Sequence, residues 1–415
     1  MNAFTYRQGM LCAEELPLAG IAERFGTPCY VYSCAALAAA YNGYRNALAG
    51  RSAHICYAVK ANSNLAILNL FARLGAGFDI VSGGELARVL AAGGLAADVV
   101  FSGVGKTREE LRAALTAAIG CFNVESESEL IRLSGIAEEM GLTAPIALRV
   151  NPDVDAKTHP YISTGLKNNK FGIAIEDALP LYRRARIMPR IKIKGIASHI
   201  GSQLLDPAPA AEAAQRVLAL ADRLAAEGID LADLDLGGGM GIRYRDEDVP
   251  GTAEYLAPML DLLKDRRERL VFAPGRSLVG AAGLLLTRVE VVKHGAEKSF
   301  AIVDAAMNDL MRPALYDAWH DILPVRHDGG KETLYEVVGP VCESGDFLGH
   351  GRSLAIVEDD LLAVMCAGAY GMAMSSNYNS RPRAAEVLVD GGQAHLIRER
   401  ESVALLYERE RIVPL

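Results

Sequence analysis

The sequence predicts an α/β chain: a (β/α)8 TIM-type barrel followed by a mostly β C-terminal domain. Two observations carry the barrel. Short apolar runs recur at His54–Lys60, Gly77–Ser82, Asp98–Gly103, Cys121–Val124, Pro145–Val150, Gly195–Ile200, Asp233–Gly237 and Leu270–Arg276. Between them lie amphipathic segments with helical spacing. Eight strand–helix units in series is the count for a closed barrel, whereas a doubly wound open sheet usually stops sooner. A third observation carries the β domain. After about residue 283 helical patterns become scarce, and β-branched alternation takes over.

In chain order, residues 1–32 read as a short strand-rich arm, with Thr27–Tyr32 (TPCYVY) as its clearest strand. This arm is expected to join the C-terminal β domain. The barrel is assigned to residues 33–282, where an alanine-rich helical pattern from Ser33 leads into the first strand. Helical segments follow at Asn64–Leu74, Glu85–Ala92, Arg108–Ala118, Ser126–Met140 and Ala210–Ala226. The long polar gap at Asp153–Gly172, rich in His, Lys and Asn, reads as a functional loop. The β domain, 283–415, shows strand patterns at Leu284–Val292, Ser299–Asp304, Thr333–Val338, Leu361–Ala367 and Ala385–Val389.

Composition narrows the function classes. A chain of 415 residues, 51% hydrophobic, can bury sizeable cores and is no disordered polymer. A net charge of −8 argues against nucleic acid or an anionic membrane surface as partner. Seven cysteines are scattered without a CxxC pair or a His/Cys cluster. That pattern fits reduced thiols in a cytoplasmic enzyme, with no disulfide framework and no metal site. The N-terminal residues lack the basic start and apolar run of a signal peptide. No charge-free apolar stretch of about 20 residues is present to span a bilayer.

In a barrel, functional groups gather at the C-terminal ends of the strands. The first strand ends in Tyr57-Ala58-Val59-Lys60-Ala61-Asn62 and the second in Asp79, followed by Ser82-Gly83-Gly84-Glu85. The fifth runs into Arg149-Val150-Asn151-Pro152, and the sixth ends in His199-Ile200-Gly201-Ser202-Gln203. The seventh ends in Asp235–Gly241 (DLGGGMG) and the eighth in Ala273-Pro274-Gly275-Arg276-Ser277. Each has a plain alternative. A strand-end lysine is ordinarily a solvated charge, a glycine run a tight turn, and a lone histidine a core or surface residue. The triglycine is not a dinucleotide fingerprint, because Ile242 occupies the sixth position of G-x-G-x-x-G. Taken together, the strand ends offer an amine, a phosphate site at Gly239 and Arg276, and a flat imidazole at His199. Desolvation at a strand end frees a lysine's lone pair for an imine bond to a carbonyl cofactor. This combination suggests pyridoxal phosphate, with His199 stacking on it.

These stretches, in this order, resemble the diaminopimelate decarboxylases, a family of fold-type III pyridoxal-phosphate decarboxylases related to ornithine decarboxylase and alanine racemase. The resemblance continues through Cys342-Glu343-Ser344-Gly345-Asp346, Gly368-Ala369-Tyr370-Gly371 and Ser375–Pro382 (SSNYNSRP), so it spans essentially the whole chain. It implies removal of a carboxylate from meso-2,6-diaminopimelate, giving L-lysine and CO2. It also implies that Lys60 is the Schiff-base lysine and Cys342 the proton donor; His199, read from the strand ends, is expected as a third catalytic residue. It implies cofactor contacts at Lys60, Gly239, Arg276 and Tyr370; the strand ends add Asp79, His199, Ser202, Gly238, Ala273, Pro274 and Gly275 as expected contacts. The implied substrate contacts are Arg276, Arg312, Tyr316, Glu343 and Tyr370. In the family the cysteine segment enters the neighbouring subunit's site, so a homodimer with shared active sites is expected.

The chain departs from the family pattern at one place. Members usually read Glu-Pro-Gly-Arg at the eighth strand end, and that glutamate pairs with the pyridine nitrogen; here the residue is Ala273. Two readings follow: another acid, with Asp79 nearest by strand order, takes over the pairing, or decarboxylation is slow. Alternative activities are a decarboxylase of ornithine, arginine or carboxynorspermidine, or a non-catalytic pyridoxal-phosphate-binding protein. Arg312 with Tyr316 and the Ser375–Pro382 segment favour diaminopimelate, whose far end carries a carboxylate. Single-barrel binding proteins would lack both the β domain and the Cys-Glu-Ser-Gly-Asp segment. A racemase would need a second acid/base suited to the Cα–H bond.

Overall fold

A computed structural model describes residues 3–155, 170–327 and 329–414. Contacts divide the chain into two compact units. One comprises Ala40–Ile242 and Asp248–Leu278; the other comprises Met1–Ala39, Arg243–Glu247 and Val279–Leu415.

The first unit is a closed parallel barrel. Its strands are Ala53–Ala58, Gly77–Ile80, Val99–Phe101, Cys121–Val124, Ala144–Asn151, Ile191–Ser198, Asp233–Asp235 and Arg269–Phe272. Each pairs with the next, and Arg269–Phe272 pairs back onto Ala53–Ala58 to close the ring. Each of the eight apolar runs read from sequence contains one of these strands. The short pair Ile173–Ala174 adds to the fifth strand. Strands one to four are buried at most positions, as expected where helices cover the outer face.

Local chemistry turns these strand ends into helix starts. Asn64, Ser82 and Ser126 each accept a backbone N–H of the following first turn through the side chain. Thr107 and Glu110 form a reciprocal capping box. Each such cap is worth about 1 kcal/mol. They open the helices Leu65–Arg73, Gly83–Ala91, Arg108–Thr116 and Glu127–Met140. The longer barrel helices Ile175–Ile187 and Thr252–Leu262 went unread in the sequence. Each carries an internal proline, Pro180 and Pro258, which interrupts the helical signal.

The second unit is mostly β. The arm contributes a three-stranded sheet, Phe4–Arg7, Met10–Ala13 and Leu16–Pro17, and also a helix, Leu18–Phe25, where only strands were expected. Its next strand, Cys29–Ser33, lies within the main sheet of this unit. It is antiparallel to Gly283–His294 and parallel to Ala385–Asp390. Buried Cys29, Val31, Leu284, Leu286, Val387 and Val389 form the core there. Strands Ile322–Pro324, Phe347–Leu354 and Gln393–Arg398 complete the unit and were not read from sequence. Phe347–Leu354 (FLGHGRSL) is broken by Gly349, His350 and Gly351, residues that dilute a strand pattern.

Candidate active site

At the C-terminal end of the first barrel strand the chain makes one 3-10 turn, Val59–Ala61. Val59 and Ala61 are buried, whereas Lys60 between them is exposed within this chain. The desolvation expected at Lys60 is therefore not supplied by this chain alone. The surrounding motif fixes the turn. The Tyr57 hydroxyl donates to the Asn62 carbonyl at 2.8 Å, and the Asn62 Oδ1 accepts the Asn64 N–H at 3.1 Å. Gly275, at the eighth strand end, leaves room for a Cβ only 3.2 Å from those of Ala58 and Ala61. The Pro274 carbonyl accepts the Ala58 N–H at 3.0 Å. The eighth strand end thus packs directly on the lysine turn.

Arg276 follows Gly275 and is buried. Its Nε and Nη2 donate to the Ser202 hydroxyl at 3.3 and 3.2 Å, joining the sixth and eighth strand ends. The triglycine of the seventh strand end lies beside them. A Cβ on Gly238 would sit 2.2 Å from the Ala273 carbonyl oxygen. Gly239 has φ +109°, and its Cβ would fall 2.7 Å from the Gly201 carbonyl oxygen. Only glycine lets this turn pass so close to both carbonyls. Ala273 is half-buried, and its N–H donates to the Gly237 carbonyl at 2.7 Å.

His199 keeps partial solvent exposure, and its Nδ1 faces the Gly238 N–H at 3.4 Å. Dense packing holds its imidazole well below the usual histidine range, helped by the charges of Lys60 and Arg149. The ring is consequently neutral at neutral pH.

Inside the barrel runs a hydrogen-bonded chain that sequence reading passed over. The Asn123 amide donates to Asp235 Oδ2 at 3.0 Å and to the Ser102 hydroxyl at 3.2 Å. Ser102 in turn donates to Asp79 Oδ1 at 2.6 Å. Burial raises the Asp79 carboxyl, and the Lys60 charge opposes this. Burial also pushes Asp235 up to about 7, against the Gly237 N–H and Asn123 bonds that favour its charge. Arg149 donates to Glu125 at 2.8 Å. The available signal was a polar residue inside an apolar run, Asn123 in Cys121–Val124.

The remaining expected residues lie in the β unit. Arg312, buried, opens the short helix Arg312–Tyr316; Tyr316 is half-buried. Cys342 and Glu343 are exposed on a loop pinned by buried Asp346, which accepts the N–H groups of Met307 and Val341 at 2.7 and 2.8 Å. The Cys342 N–H donates to Asn379 Oδ1 at 2.9 Å. Tyr370 is half-buried, with φ +55°. Most of the polar stretch expected to form a functional loop, Asp153–Gly172, lies outside the described residues. Among the described residues no group of three or more His, Cys, Asp or Glu could hold a metal ion. No described helix is long and apolar enough to cross a membrane.

A barrel with an amine, a guanidinium and a glycine turn at its strand ends, joined in one chain to a β unit, is the architecture of the pyridoxal-dependent decarboxylases. The family model for their pyridoxal-binding domain matches residues 34–280. Across its full length the chain is 59% identical to the diaminopimelate decarboxylase of Pseudomonas aeruginosa, covering 100% of both. Against the Vibrio cholerae enzyme it is 55% identical at the same coverage. The crystal structure of diaminopimelate decarboxylase from Helicobacter pylori, complexed with L-lysine, superposes with a TM-score of 0.92 at 42% identity, over 95% of this chain and 99% of that one. The crystal structure of diaminopimelate decarboxylase from M. jannaschi superposes with a TM-score of 0.95 at 39% identity, over 99% of this chain and 98% of that one. The chain belongs to the diaminopimelate decarboxylase family.

Proposed function

We propose that this chain decarboxylates meso-2,6-diaminopimelate to L-lysine and CO2, the last step of lysine biosynthesis, with pyridoxal phosphate as cofactor. The reading is carried by the meeting of the Lys60 turn with the Gly275–Arg276 strand end, supported by full-length kinship. The donor set fits the cofactor: a primary amine, a buried guanidinium joined to a serine hydroxyl, and a turn that tolerates no Cβ. When bound, pyridoxal phosphate supplies a carbonyl for covalent attachment and an electron sink for the bond that releases CO2.

Lys60 would hold the cofactor through its primary amine. Gly238, Gly239, Ser202 and Arg276 would hold its phosphate, for which a fixed cation and close backbone are suited. His199 offers a neutral aromatic face, and Asp79, Ala273, Pro274, Gly275 and Tyr370 line the remainder. Arg312 grips a substrate carboxylate in a two-pronged fork, with Tyr316 beside it. Arg276 and Tyr370 also contact substrate, and Glu343 pairs with the distal ammonium. The Cys342 Sγ delivers the proton to Cα after CO2 leaves. In a homodimer, Cys342 serves the neighbouring subunit's site. Seven free cysteines suit a reducing compartment, and we place the chain in the cytoplasm. The test is CO2 release measured in parallel from meso-diaminopimelate, ornithine and arginine. Release from meso-diaminopimelate alone is expected; preferential release from ornithine or arginine overturns the substrate assignment.

A further inference from the structure

Arg312 is held by a residue that no motif singled out. His320, fully buried, lies just beyond the helix Arg312–Tyr316. Its Nδ1 is 2.8 Å from the Met365 carbonyl oxygen, and its Nε2 is 3.3 Å from the Arg312 Nε. A carbonyl only accepts and a guanidinium N–H only donates. The two bonds together therefore place the proton on Nδ1 and the lone pair on Nε2, facing Arg312. The Met365 carbonyl is itself set by the sheet. Strand Leu361–Val364 pairs antiparallel with Ile322–Pro324, and the Met365 N–H donates to the Asp321 carbonyl at 2.8 Å. Tyr244 forms a second wall. Its ring meets His320 edge-on at 5.2 Å and 77°, and the Arg312 guanidinium lies 4.9 Å from its centroid.

With Nε turned toward His320, a carboxylate arriving at Arg312 is directed to the Nη1–Nη2 edge. We propose that His320 is a positioning residue for substrate recognition, acting through Arg312 to aim that edge at a substrate carboxylate. The proposal rests on the reading of Arg312 as the carboxylate-binding residue.

Two replacements separate the two ring nitrogens. In His320→Asn the amide reaches the place of Nδ1 and can still donate to Met365, while the acceptor for Arg312 is lost. In His320→Gln the amide reaches the place of Nε2 and restores that acceptor. The holoenzyme of each is assayed for KM and kcat with meso-diaminopimelate. Inhibition by L-lysine, which has a carboxylate, is compared with inhibition by 1,5-diaminopentane, which has none. His320→Asn is expected to raise KM and the L-lysine inhibition constant about tenfold, the effect of one hydrogen bond to a charged group. Its kcat, its bound-cofactor absorbance and its inhibition by 1,5-diaminopentane stay near wild type. His320→Gln recovers most of the lost affinity.

Arg312→Lys, run alongside, tells the two layers apart. If it leaves L-lysine inhibition unchanged, the reading of Arg312 fails and the proposal falls with it. If it weakens L-lysine inhibition while His320→Asn does not, the proposal alone is overturned. A parallel loss of kcat, cofactor absorbance and both inhibitors' affinity in the two His320 variants overturns it as well, because such a loss marks a merely structural histidine.

Discussion

Asp235→Asn is expected to make the protein more stable at alkaline pH, although it alters a carboxylate at a barrel strand end. Burial raises the Asp235 carboxyl from its ordinary 3.8 to about 7 in the folded chain. Between those values the folded chain keeps the proton and the unfolded chain releases it. Folding is therefore favoured at low pH, and the advantage disappears as pH rises through about 7, at about 1.4 kcal/mol per unit. Over the whole window this amounts to about 4 kcal/mol at most, and between about pH 5 and about pH 8 to roughly 2–3 kcal/mol. Asparagine copies the neutral acid. It can still accept the Gly237 N–H, which now meets Asp235 Oδ1 at 2.9 Å. Its own amide can donate to Asn123 Oδ1, which is buried without a hydrogen-bond partner among the described residues, once the Asn123 side chain adjusts. Wild type and variant are unfolded in urea across this pH range at equal cofactor saturation, and the difference between the two curves is read. The wild type should lose about 2–3 kcal/mol more than the variant on going from about pH 5 to about pH 8. Parallel curves would refute the reasoning, because they would mean that Asp235 ionises alike in the folded and unfolded chains.

Three further outcomes are expected. Lys60→Ala should abolish the visible absorbance of the bound cofactor and its fixation to the chain by borohydride; a peptide map placing the cofactor on another lysine contradicts the assignment. Mixing inactive Lys60→Ala subunits with inactive Cys342→Ala subunits should restore activity, because a hybrid dimer has one site with both residues intact. No recovery after verified subunit exchange means that each site is built within one chain. Ala273→Glu should raise kcat far more than it changes substrate binding, since a carboxylate near the cofactor's nitrogen counts most as charge develops in the transition state. An unchanged kcat, together with loss of activity in Asp79→Asn, assigns the pairing to Asp79 instead.

Strand and helix order was legible in the sequence because it is local. An apolar run of four to eight residues followed by a capping serine, threonine or asparagine carries its own structure, and eight in series leave closure as the economical solution. Elements were missed where local signals conflict with the fold: Pro180 and Pro258 inside helices, and Gly349 and Gly351 inside a strand. The candidate strand-end residues could be named for the same reason, since a barrel assigns each strand end to one face of the molecule. Protonation and aim could not be read this way. Asn123 meets Asp235 across 112 positions, and His320 meets Met365 across 45. The charge of Asp235, the neutrality of His199 and the tautomer of His320 all depend on how tightly distant segments close around them. Desolvation and hydrogen-bond partners are properties of that tertiary packing, which residue type and spacing along the chain do not specify.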